Sequence, residues 1–421
     1  MANQLSEATR RTIVSRIPNF NSMLEEEQGA AAIRVIAEDF YIYTERNLMI
    51  QDKMTGEIVP FIFNWEQEEL VKMVLRDIAA GLPVRYIILK ARQMGLSTVI
   101  EALGFWWTTT HRNIKTVIMA HETEAATNLY EMFKRYFDYS HINFQPDRKY
   151  NNKKELVFDV EDKIKEEYKE RGERSPGLGS SIKTMVAKEG KGRSATIHFF
   201  HGSEVAFWEV KADVVSAALQ AVPMSANTFA FLESTANGVG GFFYKAWFSA
   251  KARKNNLRAV FFPWHQHHEY ELDAPAEGLK YYDEEESKLL ELFLKQGYEQ
   301  WRWDRKIMWR REKKKEFLDD PKKFYQEYPS TDMEAFLSSG RPKFDMDMLV
   351  KMWQYADDNP QHIYGQVVPN PDPNAKDRYI FEEVPVAMEG TDPTPLKVWE
   401  QPIQRNPNTH EEAAKYVIGV D

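Results

Sequence analysis

Apolar and polar positions follow different rhythms along this chain, and the changes of rhythm mark its parts. Over residues 1–59 the pattern is helical: "EEEQGAAAIRVIAEDFYIYTERN" is amphipathic and ends at Asn47. "FIFNWEQEELVKMVLRDIAAG" predicts a strand-like start and then a helix closed by Gly81. From 84 to 265 the runs "VRYIILK", "KTVIMA", "ATIHFF", "TFAFLEST" and "LRAVFFPW" each read as a short buried strand, with helical segments such as "ETEAATNLYEMFKRYF" between some of them. That alternation predicts parallel strands with crossover helices, an α/β fold. Long charged helices follow from 280 to 340, and after 345 proline and asparagine accumulate before strand-like text returns up to "YVIGVD". The expected parts are a helical arm (1–59), an α/β core (60–275), a helical lid (276–345) and a linker opening another domain (346–421).

Composition narrows the class. The chain has 421 residues, 43% of them hydrophobic, enough for a substantial core, and no cysteine, which removes disulfides, zinc ribbons and thiol chemistry. The N-terminus lacks an apolar signal core, and no apolar run approaches the roughly eighteen residues that span a bilayer, so a soluble intracellular protein without a membrane partner is expected. With net charge -9 and pI near 5.7, any contact with nucleic acid must be local.

Candidate chemistry starts at "YIILKARQMGLST", where an apolar strand turns through Gly95 into a helix beginning near Ser97 and Thr98. This is the layout of a phosphate-binding loop, Ala91-Arg92-Gln93-Met94-Gly95, but Leu96 stands where GxxxxGK[ST] has lysine. Backbone amides at a helix N-terminus already favour phosphate, and the missing charge can come from Lys90 or Arg92 ahead of the glycine. Ser97 keeps the hydroxyl for Mg²⁺. A turn into a buried helix beside two solvated cations explains the same residues. About a hundred residues later "HFFHGSE" ends a strand in Ser203 and Glu204, where an ATPase places an Asp-Glu pair. Glu204 can orient water, while Ser203 offers the metal only a neutral hydroxyl. The next strand ends in Ser234, Thr235 and Asn237, a polar tip suited to sensing the γ-phosphate, or simply a tight turn. Arg193, in the glycine-containing "EGKGR", suits an arginine finger for a neighbouring subunit, or is a surface arginine.

Five segments in this order resemble the large terminase subunit of tailed bacteriophages, the DNA-packaging ATPase. "FNWEQEEL" looks like its adenine-reading segment, with Gln67; "KARQMGLST" is similar to its variant phosphate loops; "HGSEVAFW" resembles its second acidic motif, "ESTANGVGGFFY" its coupling motif, and "FYQEYPSTDMEAFLSSG" the close of its ATPase domain. The resemblance spans about residues 60–345 and departs from the family at Leu96 and Ser203. It implies a RecA-like, ASCE-type P-loop NTPase with a mainly parallel sheet and a helical lid, binding ATP and Mg²⁺. It also implies a homo-oligomeric ring of five subunits at the portal vertex of the procapsid in the host cytoplasm. Its partners there are double-stranded DNA, the portal protein and the small terminase subunit, with Arg193 acting in trans. "YVIGVD" looks like the opening of the family's RNase H-like nuclease, with Asp421 as its first metal ligand; one carboxylate cannot serve two metals, so this chain is not expected to cut DNA.

Three other features bear on function. In the basic run 302–315, Arg302, Arg305, Lys306, Arg310 and Arg311 offer a phosphate-tracking face, or only a solvated helix surface. "FPWHQHHEYE" reads as a surface turn and not a zinc site, and Phe105, Trp106 and Trp107 as core. A helicase, which needs a second core, and a non-catalytic DNA-binding scaffold with a degenerate loop are the rival functions.

Overall fold

The computed structural model describes residues 6–152, 154–187, 196–208, 212–297, 299–317 and 320–337, together with strands at 363–369, 379–383 and 396–398. Residues 1–340 form one compact unit and 341–421 a second. In the first unit helices α1 (Glu7–Ser15), α2 (Glu25–Glu38) and α3 (Phe40–Asn47) precede a small hairpin, β1 (Met49–Gln51) and β2 (Ile58–Pro60), and then α4 (Trp65–Ala79). The arm is not separate from the core. Phe40 and Tyr43 of α3 are buried, Tyr43 shares a 2.9 Å hydroxyl bond with Thr109, and the Trp106 indole donates to the Ala37 carbonyl.

The main sheet contains β3 (Val84–Lys90), β4 (Lys115–Ala120), β5 (Arg148–Asn152), β6 (Glu155–Phe158), β7 (Ser180–Val186), β8 (Phe199–Ser203), β9 (Phe229–Ser234) and β10 (Arg258–Phe262), in the order β10-β3-β9-β8-β4-β7-β6-β5. All five strands read from the apolar runs are present, and they are parallel to one another. β3 and β9 are buried at every position, as strands covered on both faces must be. The covering helices include α5 (Leu96–Thr110), α6 (Thr123–Tyr139), α8 (Ala212–Gln220) and α9 (Gly241–Lys251), while α7 (Asp162–Glu170) buries no residue. The edge formed by β5, β6 and β7 has no counterpart in the sequence reading; "RKYNN" and "ELVF" are too short and polar to show a period, and β6 pairs antiparallel with both neighbours.

β9 lies between β3, which feeds the loop, and β8, which ends at Ser203. That order is the ASCE-type P-loop arrangement, so the α/β fold expected from the strand–helix alternation is the one adopted. Register then assembles the site: Ile88 and Ser203 both pair with Glu233, Leu89 pairs with Ser234, and Lys90 with Phe262. The lid consists of α10 (Glu284–Lys295), α11 (Gln300–Lys315), α12 (Pro321–Glu327) and α13 (Asp332–Leu337). The second unit contains the antiparallel strands β11 (Ile363–Pro369), β12 (Tyr379–Glu383) and β13 (Leu396–Val398), with β11 central. No described helix is long and apolar enough to cross a membrane.

Candidate active site

The loop between β3 and α5 is pinned from below. Ala91, Met94 and Leu96 are fully buried, so the apolar residue at the usual lysine position belongs to the core and carries no charge to a phosphate. Gly95 turns the chain at φ +71° into α5, whose first turn has no side-chain cap. Its leading amides are therefore the orphan donors that a helix offers to an anion. Asn64 and Gln67 form a capping box on α4, and their amides also reach the loop: Asn64 Nδ2 donates to Met94 O (3.0 Å) and Gln67 Nε2 to Gly95 O (2.8 Å). Gln67 accepts the Asn64 N–H with its other end, so each end of its amide makes one bond within the protein. A Cβ on Gly95 would lie 2.5 Å from Gln67 Nε2. Gly95→Ala is accordingly expected to lower stability by about 1 kcal/mol through the left-handed backbone alone, and to weaken nucleotide binding by freeing the loop. Thermal unfolding with and without ATP measures both effects.

Beneath the loop lies a chain of buried charges. Lys90 Nζ, on a residue only 6% exposed, sits 2.7 Å from Glu233 Oε2 and 3.3 Å from Glu204 Oε1. Glu233 Oε1 accepts hydrogen bonds from Ser97 Oγ (2.7 Å) and Ser203 Oγ (2.9 Å). His201 Nε2 lies 3.4 Å from the same oxygen, and His201 Nδ1 is 2.5 Å from Glu101 Oε1 of α5. Burial works against every one of these charges, and their neighbours decide the outcome. For Lys90, Glu233 and Glu204 outweigh desolvation and hold the ammonium above the usual lysine range. For Glu233, Lys90 and His201 outweigh it and hold the carboxyl far below its usual range. His201, buried but flanked by Glu101 and Glu233, is raised to about 9. Glu204 goes the other way: burial, with Glu233 adding to it and Lys90 opposing, raises its pKa. The closer lysine contact goes to Glu233, which leaves Glu204 the readier proton acceptor.

Glu204 follows β8 with φ +54°, in the left-handed region a β-strand end does not need. The turn aims its carboxylate at the tip of β9, where Oε2 receives Ser234 Oγ (3.3 Å) and the Thr235 N–H (3.4 Å). Asn237 Nδ2 donates to Ala206 O and the Ala206 N–H to Ser234 Oγ, both at 3.2 Å. The candidate coupling residues Ser234, Thr235 and Asn237 are thus joined to Glu204 and the turn behind it.

Lys90 and Arg92, alternatives in the sequence, part company in the fold. Lys90 points inward among the carboxylates. Arg92 points outward, its side chain 57% exposed and 3.2 Å from Glu327 of α12. Its backbone N–H is held by Glu327 O of the lid (2.9 Å) and its carbonyl by the Tyr270 hydroxyl, from the segment before the lid. Next to Glu327, Gln326 donates to Ala236 O at 2.6 Å.

The basic helix is corrected by the structure. Arg302 pairs with Glu271, Arg305 with Glu271 and Asp273, Lys306 with Glu271, Arg310 with Glu285 and Arg311 with Glu286. Lys306 and Arg310 are each 1% exposed, so these two cations hold the lid and are not open to DNA, whereas Arg302, Arg305 and Arg311 keep about a third of their side chains exposed. His265 and His267 are buried, not on a surface turn. Ligand atoms of Glu66, His267 and His268 lie within 4.8 Å of one another, but His267 Nδ1 is 3.2 Å from Glu66 Oε2, and Lys306 and Lys53 engage His267 O and Glu269 beside it. Phe105, Trp106 and Trp107 are core. Arg193 and Asp421 lie outside the described residues.

Sequence reasoning misses Glu233, His201, Glu101 and Glu327. The first three share a signal: a charged or titratable residue inside an apolar run, in "TFAFLEST", "HFFHG" and "TVIEALGF". A buried charge requires a partner, and here the partners are each other.

No family model matches the chain, and no curated protein matches it. Among solved structures it is similar to the large terminase of bacteriophage HK97, at 14% identity and TM-score 0.45, covering 79% of this chain and 62% of that one. It is also similar to the large terminase ATPase domain of Thermus phage P74-26, at 14% identity and TM-score 0.39, covering 58% of this chain and 86% of that one. A third is the large terminase of another thermophilic bacteriophage in complex with ATP-gamma-S, at 12% identity and TM-score 0.35, covering 49% of this chain and 46% of that one. The chain therefore spans less than two thirds of the first and third of these proteins.

Proposed function

We propose that this chain is the ATP-hydrolysing subunit of a motor that drives double-stranded viral DNA through a portal into a procapsid. One observation carries the reading: Glu204, at the end of β8, stands 3.3 Å from the loop's own lysine and bonds the tip of the strand that separates it from the loop. A carboxylate with a raised pKa in that position suits taking a proton from water attacking the γ-phosphate. Mg²⁺ bound with ATP would neutralise charge on the β- and γ-phosphates, and the Ser97 and Ser203 hydroxyls are hard oxygen donors suited to it. Lys90 supplies the cation that Leu96 lacks, and the α5 amides complete the anion site. Because Ser234 and Thr235 share Glu204's second oxygen, a change in the charge facing Glu204 reaches the β9 tip directly. In the same reading the subunits form a ring of five at the portal vertex, Arg193 serves a neighbour's ATP, the small terminase subunit delivers the DNA, and cutting belongs to a nuclease of which Asp421 is one ligand.

ATP turnover by the purified chain and by Glu204→Gln tests the proposal. Glu204→Gln is expected to bind ATP and to turn it over about 100-fold more slowly, within the range that a general base contributes. Equal, negligible rates in both proteins would leave a nucleotide-binding scaffold as the better reading.

A further inference from the structure

Position 203 holds a neutral serine where the acid serving the metal is expected, one residue before Glu204. We propose that Glu233, on the neighbouring strand β9, is the carboxylate that holds Mg²⁺ at the ATP site, supplied one strand away from its usual origin. The inference rests on the ATPase reading above.

Three observations support it. First, Glu233 Oε1 accepts from the loop hydroxyl Ser97 Oγ at 2.7 Å, and that hydroxyl is the group a phosphate loop gives to Mg²⁺. Second, the same oxygen accepts from Ser203 Oγ at 2.9 Å, and register makes Ser203 and Glu233 cross-strand neighbours. A carboxylate displaced by one strand thus reaches the hydroxyl at the position it replaces. Third, Glu204 is turned toward Ser234 and Thr235 and Glu101 toward His201, so Glu233 is the carboxylate bonded to both hydroxyls. The remaining donors, one anionic carboxylate and two hydroxyls, are all hard oxygens, the set that suits Mg²⁺.

Charge balance fits the same assignment. Glu233 is 0% exposed and could not stay ionised alone; here Lys90 at 2.7 Å compensates it. When the Lys90 ammonium turns to a phosphate, Glu233 needs another cation, and a divalent ion meets that need. His201, anchored by Glu101, fixes the carboxylate from behind.

The test is equilibrium binding of a fluorescent non-hydrolysable ATP analogue to the full chain, with Mg²⁺ and with EDTA. The parent is expected to bind more tightly with Mg²⁺. Glu233→Gln should lose about tenfold or more of that enhancement while its affinity in EDTA is maintained. If Glu233→Gln keeps the parental enhancement, or weakens binding equally in both conditions, the assignment is overturned while the ATPase reading stands. A parent that binds no analogue in either condition overturns both. Should Glu233→Gln fail to fold, Ser203→Asp combined with Glu233→Gln decides, because it returns one carboxylate to the same cage. The double variant is expected to regain Mg²⁺-dependent affinity, and a folded double variant without it sinks the idea.

Discussion

Lys90→Ala is expected to destabilise the first unit by about 3–5 kcal/mol and to abolish ATP binding, the cost of removing one partner from a buried ion pair. The lysine is 6% exposed and lies between two carboxylates, one of them wholly buried. Without it, Glu233 and Glu204 face each other with no cation between them, and one must take up a proton. Arg92→Ala should cost less, because that side chain is mostly in water and pairs with Glu327 alone. Chemical denaturation of the two variants, with ATP-analogue binding on whichever remains folded, separates the two cations. A Lys90→Ala protein as stable as the parent, or an Arg92→Ala protein that alone loses the nucleotide, would refute this account of the loop charge.

His201→Asn should be nearly as damaging, at about 3 kcal/mol or more, and it carries a pH signature. His201 titrates at about 9 in the fold, above the ordinary histidine value, because Glu101 and Glu233 together outweigh its burial. Its contribution is therefore complete below about pH 6.5 and is lost as pH rises through about 9. The parent's melting temperature should fall across that window, and the fall should be shallower in His201→Asn. Identical pH profiles would show that the imidazole is not charged. Thermal melts between pH 6 and 10 make the comparison.

How much of this is legible in the sequence depends on range along the chain. The five strands and the loop are local patterns, and they fold as their periodicity indicates. Glu204 is also visible, because a carboxylate just past an apolar strand stands out without any knowledge of its neighbours. Glu233 is not. In "FLEST" it reads as the first polar residue of a strand's tip, and only the pairing of β9 with β8 turns it inward onto Ser203 and Ser97. Gln67 draws notice for its amide, but the capping box that bonds one end and the loop carbonyl that bonds the other appear only when α4 meets Gly95. Helix α11 misleads for the opposite reason. Its cations look free in a list of neighbours at three- and four-residue spacing, while the acids that claim them, Glu271, Asp273, Glu285 and Glu286, arrive from segments folded back across it.

The two adjacent residues at the end of α12 have a mechanical meaning. Glu327 bonds the leading edge of the loop and Gln326 the tip beyond β9, so the two segments that flank the candidate site are joined by adjacent residues of one helix. Such a bridge has almost no slack. A tilt of the lid is transmitted to both segments together, and the cleft behaves as a jaw on a stiff hinge instead of two independently wandering edges.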